Sequence, residues 1–399
     1  MLIGLVGKPS VGKSTFFKAA TLAEVEIASY PFTTIKPNEG VGFVKAKDPA
    51  LQFEKHSNPR DGFVVGEARF IPVQLMDVAG LVPGAHEGAG MGNQFLDDLR
   101  QADVLIHVID ISGSTNEKGE AVDAGSYDPA NDVKFLEEEL DYWYLNLINK
   151  GWDKFARQIQ QEKTGVAKAL GKQLSGLKVT VEMVEDSIKK LELSENPTEW
   201  TKESLFDLAQ ELRKLTKPMV VACNKVDTPT GRANYDMLIA QFPDTLLIPC
   251  SAGSELALRE AAKKDLIDYV PGEQNYSLTE KGEAEISDAQ KKGLEYIKDN
   301  VLGLEKGSGV QAALNAAVFD KLKYIPIFPG GAKLADKDGN VLPDCFLMPP
   351  GSTALDFAYR LHTDFGKNFI RAIDIKTKLT VGKEHPLQFG DIVEIVSGK

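Results

Sequence analysis

The chain opens on Leu2-Ile3-Gly4-Leu5-Val6, an apolar run of the kind that fills a buried strand, and breaks at once into Gly7-Lys8-Pro9-Ser10-Val11-Gly12-Lys13-Ser14-Thr15. This is the GxxxxGK[ST] spacing, set between a predicted strand and a predicted helix. Gly7 and Gly12 let the backbone turn so that successive N–H groups face a phosphate, and the helix that starts at Lys13 adds the positive end of its dipole. All nine loop residues are therefore expected to line nucleotide phosphates. Lys13 reaches the terminal phosphates as a point charge, and the Ser14 hydroxyl is placed to coordinate Mg²⁺. A glycine-rich turn with no ligand is the plainer alternative, and the flanking strand and helix argue against it.

The segments downstream supply what such a loop needs. Pro31 and Pro37 bracket Thr33 and Thr34 and disfavour helix there, so the threonines sit in a loop whose hydroxyls can face a ligand. Thr34 is preferred to Thr33 as a further Mg²⁺ ligand, and a solvent-exposed turn is the alternative. The strand expected at 69–76 runs into Asp77-Val-Ala-Gly80. A carboxylate ending a buried strand is costly unless it binds something, and here a water of the Mg²⁺ shell is the expected partner, with the Gly80 N–H offered to the γ-phosphate. Asn224-Lys225-Val226-Asp227 follows the apolar strand 219–223. Guanine presents two adjacent donors that one carboxylate, Asp227, can accept, whereas adenine leaves that carboxylate unpaired. Asn224 is expected to tie the loop and meet the base edge, and the Lys225 stem to lie over the ring with its ammonium leaving toward solvent. Ser251-Ala252-Gly253, after the strand 245–250, offers backbone N–H groups suited to the guanine O6, with a helix N-cap as the alternative for Ser251.

Five such motifs in one order identify a resemblance. Tyr30-Pro-Phe-Thr-Thr34 and the stretch DVAGLVPGAHEGAGMGNQFL at 77–96 are similar to the switch loops of the Obg/YchF-like GTPases. The glycines at 84, 88, 90 and 92 suit a segment that orders in one nucleotide state and not the other. Leu81 stands where Ras-like enzymes carry the glutamine that orients the attacking water, so slow intrinsic turnover is expected. His86 is a candidate for that catalytic task beside Lys13, and a surface histidine is the competing reading. Members of this family often carry an altered base motif ending in glutamate and prefer ATP. This chain keeps NKVD, which favours GTP. Ser10 stands where potassium-activated GTPases place asparagine, so potassium dependence is not implied.

The fold class implied is α/β: a Ras-like P-loop NTPase domain with a helical, coiled-coil-like insertion and a C-terminal β-grasp (TGS) domain. The boundaries expected are 1–114 and 201–322 for the nucleotide domain, 115–200 for the insertion and 323–399 for the β-grasp. Val133, Leu136, Leu140, Trp143 and Leu147 alternate in steps of three and four, which predicts amphipathic helices in the insertion. Residues 255–320 also read as helical, and Tyr324-Ile-Pro-Ile-Phe-Pro-Gly-Gly as a linker running into short strands. PPGSTALDFAYRLHTDFGKNFIRAID (349–374) and HPLQFGDIVEIV (385–396) resemble the TGS domain.

Charge bears on partners. The 58 acidic and 46 basic residues leave a net −12, which argues against a chain-wide DNA or anionic-membrane footprint. From residue 324 onward nine basic and nine acidic residues balance, so the terminal module alone is neutral. Cys223, Cys250 and Cys345 are far apart with no metal spacing, and no apolar run reaches membrane-spanning length. A cytoplasmic location is expected. The resemblance implies a GTP-binding protein that hydrolyses GTP to GDP and phosphate with Mg²⁺, a nucleotide-dependent switch acting on the ribosome or ribosomal RNA. An ATP-preferring YchF-like ATPase and a nucleotide-gated binding module with incidental turnover are the alternatives.

Overall fold

The computed structural model describes residues 1–22, 38–78, 80, 98–162 and 164–398. The expectations for Thr33, Thr34, Leu81 and His86, and for the glycines at 84 to 92, fall outside the described residues. The chain forms two compact units, one of residues 1–17 and 75–253, the other of residues 18–74 and 254–399.

The first unit is built on parallel strands β1 (Leu2–Val6), β5 (Val104–Asp110), β6 (Met219–Asn224) and β7 (Leu247–Pro249), side by side in that order. Their near-continuous apolar character is what a sheet covered on both faces requires. Every residue of β1 and of β5 is buried. His107, in the middle of β5, is a core residue whose Nδ1 has no hydrogen-bond partner, and burial followed by the charge of Lys8 pushes its pKa down to about 3, so the ring stays neutral. The 3-4 spacing yields helices Ala130–Asn149, Trp152–Glu162, Val166–Gln173 and Val181–Lys190, followed by Lys202–Thr216. Leu136, Leu140, Trp143 and Leu170 lie in one continuous core with Leu2 and Val6, so these helices close over the sheet. The Trp152 and Trp200 rings stack with centroids 5.3 Å apart and close the helical end of that core.

Lys217, just beyond the helix Lys202–Thr216, is buried, and its ammonium donates to the carbonyls of Ala102 (2.7 Å) and Arg100 (3.2 Å). Burial, aided by the nearby Lys178, brings its pKa down from 10.5 to about 8. Between those two values the unfolded chain still holds a proton that the folded chain has released, so this group makes folding more favourable as pH rises through that window. Below it both states are protonated and the cost of burying the charge is constant. In paired denaturant titrations the stability of the native chain relative to Lys217→Met is expected to increase from pH 8 to pH 10. A relative stability that falls over that interval contradicts the assignment.

The second unit contains β2 (Glu39–Lys47), β3 (Phe63–Val65) and most of β4 (Ala68–Asp77), with β3 antiparallel to β4 and β2 on its other side. It also holds a five-stranded sheet in the order β11 (Phe346–Met348), β10 (Ile325–Pro329), β14 (Ile392–Ser397), β12 (Phe369–Asp374) and β13 (Leu379–Val381). The helix Ala354–Leu361 covers this sheet through Ala354, Phe357 and Ala358. Thr353 starts the helix with a full capping box, its Oγ1 accepting from Asp356 N while its own N–H donates to Asp356 Oδ2. Pro326 and Pro329, read from sequence as linker punctuation, lie inside β10. Residues 255–320 are mostly helical but also form a small hairpin of β8 (Ile267–Asp268) and β9 (Ser277–Leu278). Two-residue strands are too short to leave an alternation signal in the sequence.

Candidate functional site

The site grows from the end of β1. Gly7 has φ +153°, and a Cβ there would lie 2.3 Å from the Val108 carbonyl oxygen, so the strand can leave the sheet only through glycine. Ser10 takes φ +64°, a left-handed bend at the crown of the loop. The helix Lys13–Thr21 then begins, with Phe16 N–H donating to the Gly12 carbonyl at 2.9 Å. Lys13 Nζ donates to the Val78 carbonyl (2.7 Å) and lies 3.0 Å from Asp77 Oδ1, while Ser14 Oγ donates to Asp77 Oδ2 at 3.3 Å. Lys13, Ser14 and Asp77 therefore converge at the carboxyl ends of β1 and β4. Hydroxyl and carboxylate oxygens side by side are the hard donor set that Mg²⁺ prefers, and Asp77 Oδ1 is buried without an aligned hydrogen bond, so these residues fit the ion. Gly80 stands against the same loop, a Cβ on it falling 3.3 Å from Pro9 Cγ.

The base-selecting loop is joined to the phosphate loop by one side chain. Asn224 Nδ2 donates to the Val11 carbonyl at 2.8 Å, and its Oδ1 accepts from Ala252 N–H at 2.9 Å. One buried amide thus ties the phosphate loop to two stretches that lie more than two hundred residues further along the chain. The Ala252 N–H, expected to face the guanine O6, is engaged by Asn224. Ser251 is buried beside it, and Gly253 has open space where a Cβ would point. Val226 N–H donates to the Cys250 carbonyl at 3.1 Å, and Thr228 caps the next helix by accepting from Gly231 N–H, which brings Asp227 to the mouth of the loop, half-buried.

Two expectations need correction. The Lys225 ammonium does not leave toward solvent. It pairs with Asp110 at 2.8 Å and reaches Ser114 Oγ at 3.3 Å. Lys225 itself is left-handed (φ +67°). The Lys8 side chain turns away from the phosphate loop: it is buried, donates to Asp132 Oδ1 and to the Thr115 carbonyl, both at 2.9 Å, and lies 3.9 Å from the centre of the Tyr127 ring.

Asp110, Asp132, Tyr127 and the 112–115 hydroxyls were missed from sequence. Asp110 is fully buried and accepts from the Ser112, Ser114 and Thr115 hydroxyls and from Ser112 N–H as well as from Lys225. Burial alone would raise its carboxyl; the bonds from Lys225, Ser112 and Ser114 outweigh that and hold it below the ordinary carboxylate value. An acid at the end of a buried strand, followed by Ser-Gly-Ser-Thr, is the same signal that singled out Asp77. Among the described residues no cluster of His, Cys, Asp and Glu is arranged to hold a metal by itself.

Three family models match the chain: one described as a 50S ribosome-binding GTPase over residues 2–141, one as an Obg-like GTPase YGR210-like, G4 motif-containing domain over 222–330, and the TGS domain over 334–397. A GTP-binding protein of Methanocaldococcus jannaschii is 46% identical over 398 residues, covering 99% of both chains. The ribosome-binding ATPase YchF of Escherichia coli O157:H7 is 28% identical over 375 residues, covering 92% of this chain and 86% of that one. A crystal structure of a GTP binding protein from Pyrococcus horikoshii OT3 superposes over 100% of both chains with a TM-score of 0.79 at 38% identity. The Schizosaccharomyces pombe YchF GTPase shares the fold, with a TM-score of 0.60 at 20% identity over 99% of this chain and 97% of that one. With the phosphate loop, the base loop and the terminal β-grasp sheet all in place, this chain belongs to the Obg/YchF-like GTP-binding proteins, as a P-loop GTPase fold carrying a C-terminal TGS domain.

Proposed function

We propose that the protein is a Mg²⁺-dependent GTPase that hydrolyses GTP to GDP and phosphate slowly and acts as a nucleotide-dependent switch on the ribosome. The observation that carries this reading is the Asn224 bridge, which delivers the base loop to the phosphate loop within one hydrogen bond of each. The partner is supported by the relatives named ribosome-binding.

In this mechanism the loop Gly7–Thr15 holds the phosphates with its backbone N–H groups and Lys13 neutralises the terminal pair. Ser14, Thr34 and, through water, Asp77 would hold Mg²⁺, which supplies charge neutralisation on the β- and γ-phosphates when bound. The water oxygen bonds to the γ-phosphorus, and the bond from that phosphorus to the bridging oxygen breaks, its electron pair leaving with GDP. The water proton passes to phosphate or solvent. His86 remains a candidate to orient that water. Release of γ-phosphate removes the contacts of Thr34 and Gly80, and the loops that carry them are the output of the switch.

Asp227 fixes the base. A carboxylate left facing adenine loses about 1–3 kcal/mol of pairing, so GTP is expected to bind at least about tenfold tighter than ATP. Competition of the two nucleotides against a fluorescent guanine nucleotide measures this, and Asp227→Ala should narrow the gap. Equal affinities would favour the second reading, an ATP-preferring enzyme, which the relatives named ATPase support. Single-turnover hydrolysis with and without ribosomes separates an activated enzyme from a nucleotide-gated binding module: stimulation that vanishes with Lys13→Ala belongs to the first, state-dependent binding without stimulation to the second.

A further inference from the structure

The segment between β5 and the helix Ala130–Asn149 has no place in the mechanism so far, yet it is fastened to the phosphate loop at two points. Lys8 holds it from beneath, through the Thr115 carbonyl and through Asp132. Gly119 meets the loop from above: with φ +79°, a Cβ there would lie 2.6 Å from the Pro9 carbonyl oxygen and 2.7 Å from Pro9 Cβ. Pro9 is also the residue against which Gly80 rests. Two glycines from different parts of the chain therefore flank one loop residue, and one of them is the glycine whose N–H is assigned to the γ-phosphate. On that assignment, the turn that carries Gly119 lies beside the place of the γ-phosphate.

That turn is built to hold its shape. Thr115 and Ala121 form a bridge, Gly119 N–H donates to the Asn116 carbonyl at 2.9 Å, and the Asn116 side-chain oxygen accepts from Lys118 N–H and Glu120 N–H at 3.0 Å each. The two residues at its tip, Glu117 and Lys118, are exposed. Lys118 is the residue before the one that touches Pro9, about 3.8 Å away along the chain, and a lysine side chain is longer than that. Its ammonium pairs with no acid among the described residues. Lys8 cannot serve in its stead, because that ammonium is held by Asp132.

We propose that the turn Asn116–Gly119 is a wall of the terminal-phosphate site and that Lys118 touches the γ-phosphate, supplying from within the chain the cation that stabilises charge as the bond to the bridging oxygen breaks. This rests on the GTPase reading above. It also answers a need that the sequence creates, since Leu81 stands where Ras-like enzymes carry the glutamine that orients the attacking water. A positive charge aimed at the equatorial oxygens acts on charge development and requires no orientation of water.

Lys118→Ala, Lys118→Arg and Gly119→Ala are compared with the unaltered full-length chain, in single-turnover GTP hydrolysis and in binding of GDP and of a non-hydrolysable GTP analogue. The expected result is hydrolysis slowed at least about tenfold by Lys118→Ala, within about threefold of the unaltered chain for Lys118→Arg, and slowed again by Gly119→Ala, which forces the turn off Pro9 while keeping the lysine. The analogue should weaken with Lys118→Ala while GDP stays within about twofold, because only a γ-phosphate contact is removed. Hydrolysis by Lys118→Ala within twofold of the unaltered chain overturns the proposal and leaves the GTPase reading standing. An equal loss of GDP and analogue affinity also overturns it, as the mark of a general disturbance of the loop. If the unaltered chain turns over no GTP, both fall together.

Discussion

Replacing Gly12 by alanine is expected to abolish nucleotide binding in calorimetry, with an affinity loss of at least about a hundredfold. Two effects combine. Gly12 has φ +95°, where an L side chain is strained by about 1–2 kcal/mol. A Cβ at that position would also lie 2.2 Å from Asn224 Nδ2, well inside any real contact. Asn224 cannot yield without giving up its bonds to the Val11 carbonyl and to Ala252 N–H, each a buried hydrogen bond whose orphaned partner costs about 1–3 kcal/mol. The substitution therefore strikes the phosphate loop and the base loop together. Gly66→Ala is the control: its φ is +56° and nothing lies within 4 Å of the added Cβ, so it carries backbone strain without the collision. It should bind nucleotide as the unaltered chain does. Gly12→Ala with an affinity within fivefold of the unaltered chain would show that the two loops are not joined as described.

What could be read from the sequence divides along a physical line. Strands β1, β4, β5 and β6 announce themselves because a buried strand is a short apolar run, and the chemistry at their ends follows from residue type: an aspartate or an Asn-Lys-x-Asp at the end of such a run has to be satisfied by something. The capping box at Thr353 is local in the same way, since both of its bonds join residues three positions apart. Satisfaction at long range is not written in any window. Lys8 and Asp132 are 124 positions apart, and nothing in either neighbourhood says that a lysine inside a phosphate loop will point away from phosphate. Lys225 looked free because only its stem was given a task, and Asp110, which holds its head, lies 115 positions earlier. The prolines of β10 misled in the opposite direction, because a signal that marks a linker when exposed is tolerated in a strand where the missing N–H is not needed.

The second unit has its own point of failure, at Glu255. This carboxylate is fully buried in the first turn of the helix Ala252–Lys263 and accepts from Arg259 Nε, from the Tyr269 hydroxyl at 2.7 Å and from the Ser308 hydroxyl. Arg259 in turn donates to the Leu22 carbonyl at 3.3 Å and to Gln311 Oε1 at 3.4 Å, and Gln311 Nε2 donates to the Phe43 carbonyl at 2.8 Å. One acid thus organises contacts to both described flanks of residues 23–37. Glu255→Ala removes the carboxylate that neutralises the Arg259 guanidinium in the interior, which costs about 3–5 kcal/mol, and leaves two hydroxyls to find new acceptors. Against a typical stability of about 5–15 kcal/mol, that is enough to melt part of the molecule early. The three tryptophans, Trp143, Trp152 and Trp200, all lie in the first unit, so their fluorescence is blind to the second. In urea titrations of the variant, far-ultraviolet circular dichroism should therefore fall before tryptophan fluorescence changes, whereas Glu255→Gln, which keeps an acceptor of the same shape, should separate the two curves less. Coincident curves for Glu255→Ala, with a midpoint equal to that of the unaltered chain, would mean that Arg259 finds another counter-charge and that the network is not held by this acid.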